Sequence, residues 1–193
     1  VGNLSPVHGP TEVTTDRLRL TATTTSELAE LHALHADPAV WTHFPSGRYV
    51  ELATTEALVH RIASAWQEHG LDYWTARRRD DAAAGIVGIG GCSLRAGLAW
   101  NLYYRLAPTA WGRGYARELV GAALEAAEHV RPELPVVAYL LEHNEASRRT
   151  AERAGLTLAW RGPDAGNPDP AAVRLVYADR PLSREALRAF VDA

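Results

Sequence analysis

Two glycines, Gly112 and Gly114, flank Arg113 in the stretch WGRGYARELV (111–120), directly before a run with helical spacing. A helix N-terminus leaves its first amide N–H groups without intrahelical acceptors and carries a partial positive charge. Glycines at that point permit positive φ and let an anion reach the main chain without meeting a Cβ. The loop therefore reads as a cradle for a phosphate group. A P-loop would need a Gly-Lys-Ser/Thr ending, and the chain contains no lysine. A dinucleotide fingerprint would need a third glycine where Arg117 stands, and it normally opens a domain, whereas this loop follows four strand-like segments. Glycines that merely turn the chain are the plain alternative.

Asn144 and Ser147 form a second constellation, three residues apart at the start of another helical run and directly after an apolar strand-like run. Asn is also a favoured N-cap, which accounts for it without any ligand. Both constellations fall at the carboxyl ends of strands, where α/β sheets place their ligands.

The elements that must position these residues follow from periodicity. RLRLTAT (17–23) alternates as a strand, and Ser26 precedes a short helix through Leu28, Leu31, Leu34 and His35 that ends before Pro38. VWTHFPSGRYV (40–50) is a ring-rich loop, and a second helix fits 52–69, stopped by Gly70. LDYWTARRR, GIVGIGGCSL and LAWNLYYRLAP are three successive strands. A helix then runs to about His129, PVVAYLLE is a buried strand, and NEASRRTAERAG is a helix capped by Asn144 with Gly155 past its end. LTLAWRG and AAVRLVYAD pair as closing strands, and SREALRAFVDA is a last amphipathic segment. Residues 1–12 are aperiodic, and a loose arm is expected over 1–15, ahead of a single domain over 16–193. The order of elements predicts an α/β fold with a mixed sheet.

A chain of 193 residues supports one sizeable core. The formal net charge of −3 gives no reason to expect nucleic acid or an anionic membrane as partner. All 20 basic residues are arginine, which reads as base-composition bias rather than a selected basic surface. The single cysteine, Cys92, excludes an internal disulfide framework and a Cys-rich metal site, and its place in GIVGIGGCSL marks it as a core residue. The first residues lack the basic start and apolar core of a signal peptide, and no run reaches the ~18 apolar residues of a spanning helix. A cytoplasmic location without membrane attachment is the expectation.

With both constellations in place, the chain resembles the GNAT-type N-acetyltransferase superfamily. The family's pyrophosphate loop, Q/R-x-x-G-x-G/A, is matched over Trp111, Gly112, Arg113, Gly114, Tyr115 and Ala116. The branch that includes ribosomal-protein N-terminal acetyltransferases often carries P-x-x-W-G-x-G-Y-A, present here from Pro108 to Ala116. It also carries N-x-x-S followed by a Gly-hydrophobic pair, matched by Asn144, Ser147, Gly155 and Leu156. The resemblance spans roughly Asp16 to Asp179. Trp111 departs from the wider family's Gln or Arg and leaves the side-chain contact at that position open.

The resemblance implies a single-domain fold with a mostly antiparallel sheet splayed between two parallel strands and helices on both faces. It implies acetyl-CoA as cosubstrate, bound in the splay, with no metal. The pantetheine arm would pair with the main chain of Tyr104, Arg105 and Leu106, and the pyrophosphate would take the amides from Gly112 to Arg117. Asn144 would contact the pantetheine or the incoming amine, Ser147 would lie near the sulfur, and Arg148 would reach a cofactor phosphate. The acceptor would be a primary amine, on a protein N-terminus or a small molecule; a homodimer is left open by analogy with similar proteins.

Acetyl transfer needs a neutral amine, a polarised thioester and a proton for the departing thiolate. Ser147 is the candidate acid. Glu142 and His143 are candidate bases at the end of PVVAYLLE, with Asp72 and His43 behind them; only histidine has an ordinary pKa, ~6.5, near neutrality. Trp41, His43, Phe44 and Tyr49 either wall an acceptor pocket or pack the first helices. Few acids stand near them, which favours a peptide N-terminus or small amine over a polycation. A catalytically silent acyl-CoA-binding or sensing domain would keep the loop and need none of these groups.

Overall fold

The computed structural model describes residues 7–192. Eight strands form one sheet in the order β1 (Glu12–Thr14), β2 (Leu18–Ala22), β3 (Tyr73–Arg78), β4 (Ile86–Arg95), β5 (Ala99–Leu106), β6 (Val136–Leu141), β8 (Val173–Ala178) and β7 (Thr157–Pro163). Every neighbouring pair is antiparallel except β5 and β6. That pair is joined by α3 (Tyr115–Val130), because parallel neighbours require a crossover long enough to return the chain.

The parallel ladder is two residue pairs long, Trp100 with Val136 and Asn101 with Val137. Beyond it β5 stays paired with β4 as far as Leu106, and β6 stays paired with β8 as far as Leu141. Each strand keeps its outer partner, so the two separate from one another. The splay implied by the family resemblance is this divergence.

α1 (Leu28–Ala36) and α2 (Leu52–His69) cover one face of the sheet, and α3 covers the other. The alternation of side chains along β5 shows the division. Tyr104 lies beside Leu119 of α3, whereas Arg105 reaches the Val40 carbonyl in the α1–α2 connection. α3 buries Leu119, Val120, Ala123, Ala126, Ala127 and Val130 along one stripe, which is why its periodicity is visible in the chain. α4 (Glu145–Arg153) follows β6, and α5 (Arg184–Val191) closes the chain. α5 inserts Phe190 into a small second core with Ala99, Val137, Val176 and Ala178, at the closed end of the splay. Burial of a side chain of that size contributes about 1.5–3 kcal/mol.

Three local expectations are corrected. Within the stretch expected to be a loose arm, Glu12–Thr14 pairs with β2 at the sheet edge; residues 1–6 lie outside the described residues. Ser26 does not cap α1 but lies within a 3₁₀ turn, Thr25–Glu27, that leads into it and is itself begun by Thr24, whose N–H donates at 3.1 Å to a Glu27 carboxylate also held by Thr75 and Arg77. The ring-rich loop contains two short 3₁₀ turns, Pro38–Trp41 and Pro45–Gly47, each begun by a proline. Cys92 is fully buried, and burial pushes its thiol far above the usual range, as a core residue requires.

Candidate active site

Main-chain direction along the diverging strands decides what the splay can hold. The Trp100 N–H crosses to the Pro135 carbonyl at 2.9 Å, while the Ala107 N–H points the other way, to Val87 at 2.9 Å. Even-numbered residues of β5 therefore face β6, and odd-numbered ones face β4. Past the last rung, the main chain of Tyr104 and the N–H of Leu106 face the opening. Arg105 does not: its main chain belongs to the β4 ladder, and only its side chain is available to a site. On β6 the Glu142 N–H pairs with Val173 and the Val136 carbonyl with Asp179, so odd residues face the opening, namely Tyr139 and the N–H of Leu141, whose carbonyl accepts from the Asn144 N–H at 2.9 Å. Neither of those two is among the residues expected from the sequence.

At the outer end of the opening lies the glycine loop. Gly112 and Gly114 adopt φ of +71° and +79°, a region open to glycine at little cost. Gly114 is the N-cap of α3 and has no side chain with which to satisfy the first-turn amides, so those N–H groups stay available to an anion. A Cβ on Gly112 would meet nothing within 4 Å, and one on Gly114 would lie 2.9 Å from Arg17 Nη2. The Arg117 N–H is turned inward to the Gly114 carbonyl at 3.1 Å, so the cradle consists of the amides ahead of it, through Tyr115 and Ala116. Trp111 anchors this loop, since its indole N–H donates to the Leu106 carbonyl at 2.9 Å and so binds the loop to the end of β5. The Arg113 side chain turns to the Thr109 carbonyl, on the outer side of the loop.

α4 supplies the next groups. Asn144 caps it, with Oδ1 accepting from the Ser147 N–H at 3.2 Å, which leaves the Nδ2 amide free to donate. Ser147 lines the cleft with Thr150. The Tyr104 hydroxyl beside them is buried without a hydrogen-bond partner among the described residues, and burial raises its pKa, so it stays protonated. Arg148, expected at a cofactor phosphate, turns instead toward Glu152, 4.0 Å away, and it is Arg149 and Arg153 that border the cleft.

The opposite side of the opening is walled by rings. Trp41, His43, Phe44 and Tyr49 line the same cleft, of about 1870 Å³, that contains Gly112, Gly114 and Ser147. They pack α1 as well: Tyr49 stacks on His35 at 5.0 Å, and the Trp41 indole N–H donates to the His35 carbonyl at 2.6 Å. Arg105 lies against Trp41, its Cζ 3.5 Å from the ring centroid, with Nη1 donating to the Val40 carbonyl and Nε to the Tyr103 hydroxyl at 2.8 Å. Burial first, then Arg105, lowers His43 to about 4, so it is neutral at pH 7.

Among the candidate bases, Glu142 is removed by its environment. Both its oxygens are held by Arg161, at 2.6 and 3.0 Å, and this hydrogen bonding lowers its pKa. Asp72 is fully buried and engaged by Arg61 and the Tyr73 N–H, away from the cleft. His143 lines the cleft and donates from Nε2 to the His43 carbonyl at 2.8 Å, which ties the ring-rich loop to the end of β6 and leaves Nδ1 as the basic atom.

The sequence model of the acetyltransferase (GNAT) domain matches residues 17–157, a span holding the glycine loop, both edges of the splay and the Asn144–Ser147 turn. Fold and site thus define an acyltransferase that draws on acetyl-CoA. The chain belongs to the GNAT acetyltransferase family. It is 29% identical over 152 residues to the uncharacterized Bacillus subtilis protein YkkB, covering 78% of this chain and 87% of that one. An acetyltransferase of Agrobacterium tumefaciens superposes with a TM-score of 0.70 at 24% identity, over 92% of this chain and 98% of that one. RimL, a ribosomal L7/L12 α-N-protein acetyltransferase solved with coenzyme A, gives 0.72 at 18% identity, over 88% and 97%. No described helix is long and apolar enough to cross a membrane.

Proposed function

We propose that this protein transfers the acetyl group of acetyl-CoA to a primary amine, on a protein N-terminus or a small molecule. The observation that carries the reading is continuity: one cleft joins the amide cradle at α3, the unpaired strand edges of Tyr104 and Tyr139, and the ring-lined recess on the α1–α2 side. Acetyl-CoA supplies the activated acyl group, and the chain's residues fit it at separate points. The amides ahead of Arg117 hold the pyrophosphate. Tyr104, Leu106, Tyr139 and Leu141 offer main-chain partners to the amide-bearing arm, and main-chain N–H groups there polarise the thioester carbonyl.

Ser147 donates a proton to the departing thiolate, with the Tyr104 hydroxyl beside it as a second protonated donor. His143 takes the amine proton at Nδ1, since its Nε2–H is committed to the His43 carbonyl. RimL's complex with coenzyme A supports the cosubstrate, and its peptide N-terminal acceptor keeps that class within the proposal.

The test is a free-thiol assay with acetyl-CoA over a panel of amines and peptides, run on wild type and Ser147→Ala. The expected result is thiol release with some acceptor, falling about 10²–10⁴-fold in the variant while the affinity for coenzyme A is kept. Binding of coenzyme A without release to any acceptor would establish the silent binding domain instead.

A further inference from the structure

We infer that the acceptor carries an anionic group, a carboxylate or phosphate, alongside its amine, and that Arg105 is the residue that recognises it. The inference rests on the acetyl-transfer reading above and narrows its acceptor.

Arg105 is the only buried arginine among the described residues, at 9% exposure. Taking a guanidinium out of water costs several kcal/mol unless it is paired. The buried acids obey that rule: Asp72 is paired with Arg61, and Asp164 with Arg174. Arg105 has no carboxylate within 4.0 Å among the described residues. Its contacts, the Val40 carbonyl, the Tyr103 hydroxyl and the Trp41 ring, orient the guanidinium without neutralising it. Nη2 makes no hydrogen bond to a described residue and is not sealed from the cleft that Arg105 lines.

The place of this charge matches an acceptor role. Arg105 follows Tyr104, whose main chain edges the splay, and its side chain lies on the opposite side of the sheet from Ser147, among the rings of the α1–α2 connection. A cation there favours the neutral, nucleophilic form of an incoming amine. A polycation finds no free counter-charge, because the two acids lining the cleft, Glu145 and Asp164, are paired with Arg149 and Arg174. An amine that also bears an anion meets a preformed, desolvated donor. Charge-assisted hydrogen bonding of this kind is directional and specific.

The experiment compares matched acceptors at fixed acetyl-CoA by thiol release: phenylalanine against phenylalaninamide for the carboxylate, and tyramine O-phosphate against tyramine for the phosphate. The anionic member of one pair should show a kcat/KM about 10- to 100-fold above its neutral partner, and the pair that shows it identifies the anion. Arg105→Met should erase that preference through KM while coenzyme A affinity is unchanged, and Arg105→Lys should restore part of it. Neutral members acetylated as well as anionic ones in both pairs would overturn the inference and leave acetyl transfer standing; no release from any acceptor would overturn both. The wild-type comparison decides the matter even if Arg105→Met does not fold.

Discussion

Beneath the ring-lined wall of the cleft, His35 is fully buried and sits in a directed chain of hydrogen bonds that should make stability depend on acid. Its Nδ1 lies 2.8 Å from the Leu31 carbonyl, which can only accept, so Nδ1 carries the hydrogen and Nε2 faces the Tyr103 hydroxyl at 3.4 Å as an acceptor. Tyr103 in turn accepts from Arg105 Nε. Protonating Nε2 removes that acceptor and sets a second cation next to Arg105. Burial, with Arg105 and His32 adding to it, lowers His35 from 6.5 to about 4. The folded pKa is depressed, so the contribution to stability is present above the unfolded value of ~6.5 and is lost as pH falls toward the folded one. A gap of that size amounts to about 3 kcal/mol in full, of which roughly 2–3 is lost by pH 4.5. Urea unfolding followed by tryptophan fluorescence at pH 7.5 and pH 4.5 measures it, with His35→Gln as the variant that cannot titrate there. Wild type should lose about 2–3 kcal/mol more than His35→Gln across that interval. Equal losses, or an NMR titration of the His35 ring near the ordinary histidine value in the folded protein, would refute the burial argument.

The remaining predictions concern the cleft. Gly112→Ala and Gly114→Ala should each cost about 1–2 kcal/mol for a side chain at positive φ and should weaken coenzyme A binding in calorimetry; unchanged affinity in both would remove the loop from the site. Trp111→Phe deletes the indole bond to Leu106 at a cost of about 1 kcal/mol, and should lower the Tm of the free protein more than that of the coenzyme A complex. Glu142→Gln should leave turnover unchanged, because Arg161 already occupies the carboxylate; His143→Gln should lower kcat. A large loss in Glu142→Gln would reverse the assignment of the base.

Local features of the site are legible in the chain. Gly112, Gly114, Asn144 and Ser147 all stand at helix starts, and a helix start is written in a few consecutive residues. What depends on register is not. Tyr104, Arg105 and Leu106 cannot all present their main chain to one edge of a strand, so the alternation itself could have set Arg105 apart; which edge it takes requires knowing its partners. Tyr139 and Leu141 carry no signal of their own, because they contribute through position in β6 rather than side-chain chemistry. Glu142 is suited by type to act as a base until the pairing of β7 with β8 brings Arg161 beside it. Trp111 stands outside the family pattern, and its partner, the Leu106 carbonyl, becomes visible only when the loop is folded against β5.

The brevity of the parallel ladder has a consequence for how the molecule comes apart. Within the sheet, β6, β8 and β7 are joined to the other five strands by two rungs, reinforced at their closed end by the Phe190 cluster. Beyond those rungs the seam between the two parts of the sheet is held together by side chains alone, since the main core runs through both and includes Val136, Ala138, Leu175 and Tyr177. A molecule lying along the unpaired edges of Tyr104 and Tyr139 would lengthen that seam from both sides. Occupancy of the splay by coenzyme A should therefore slow amide exchange along the facing edges of β5 and β6, an effect that hydrogen-exchange measurements with and without coenzyme A would detect.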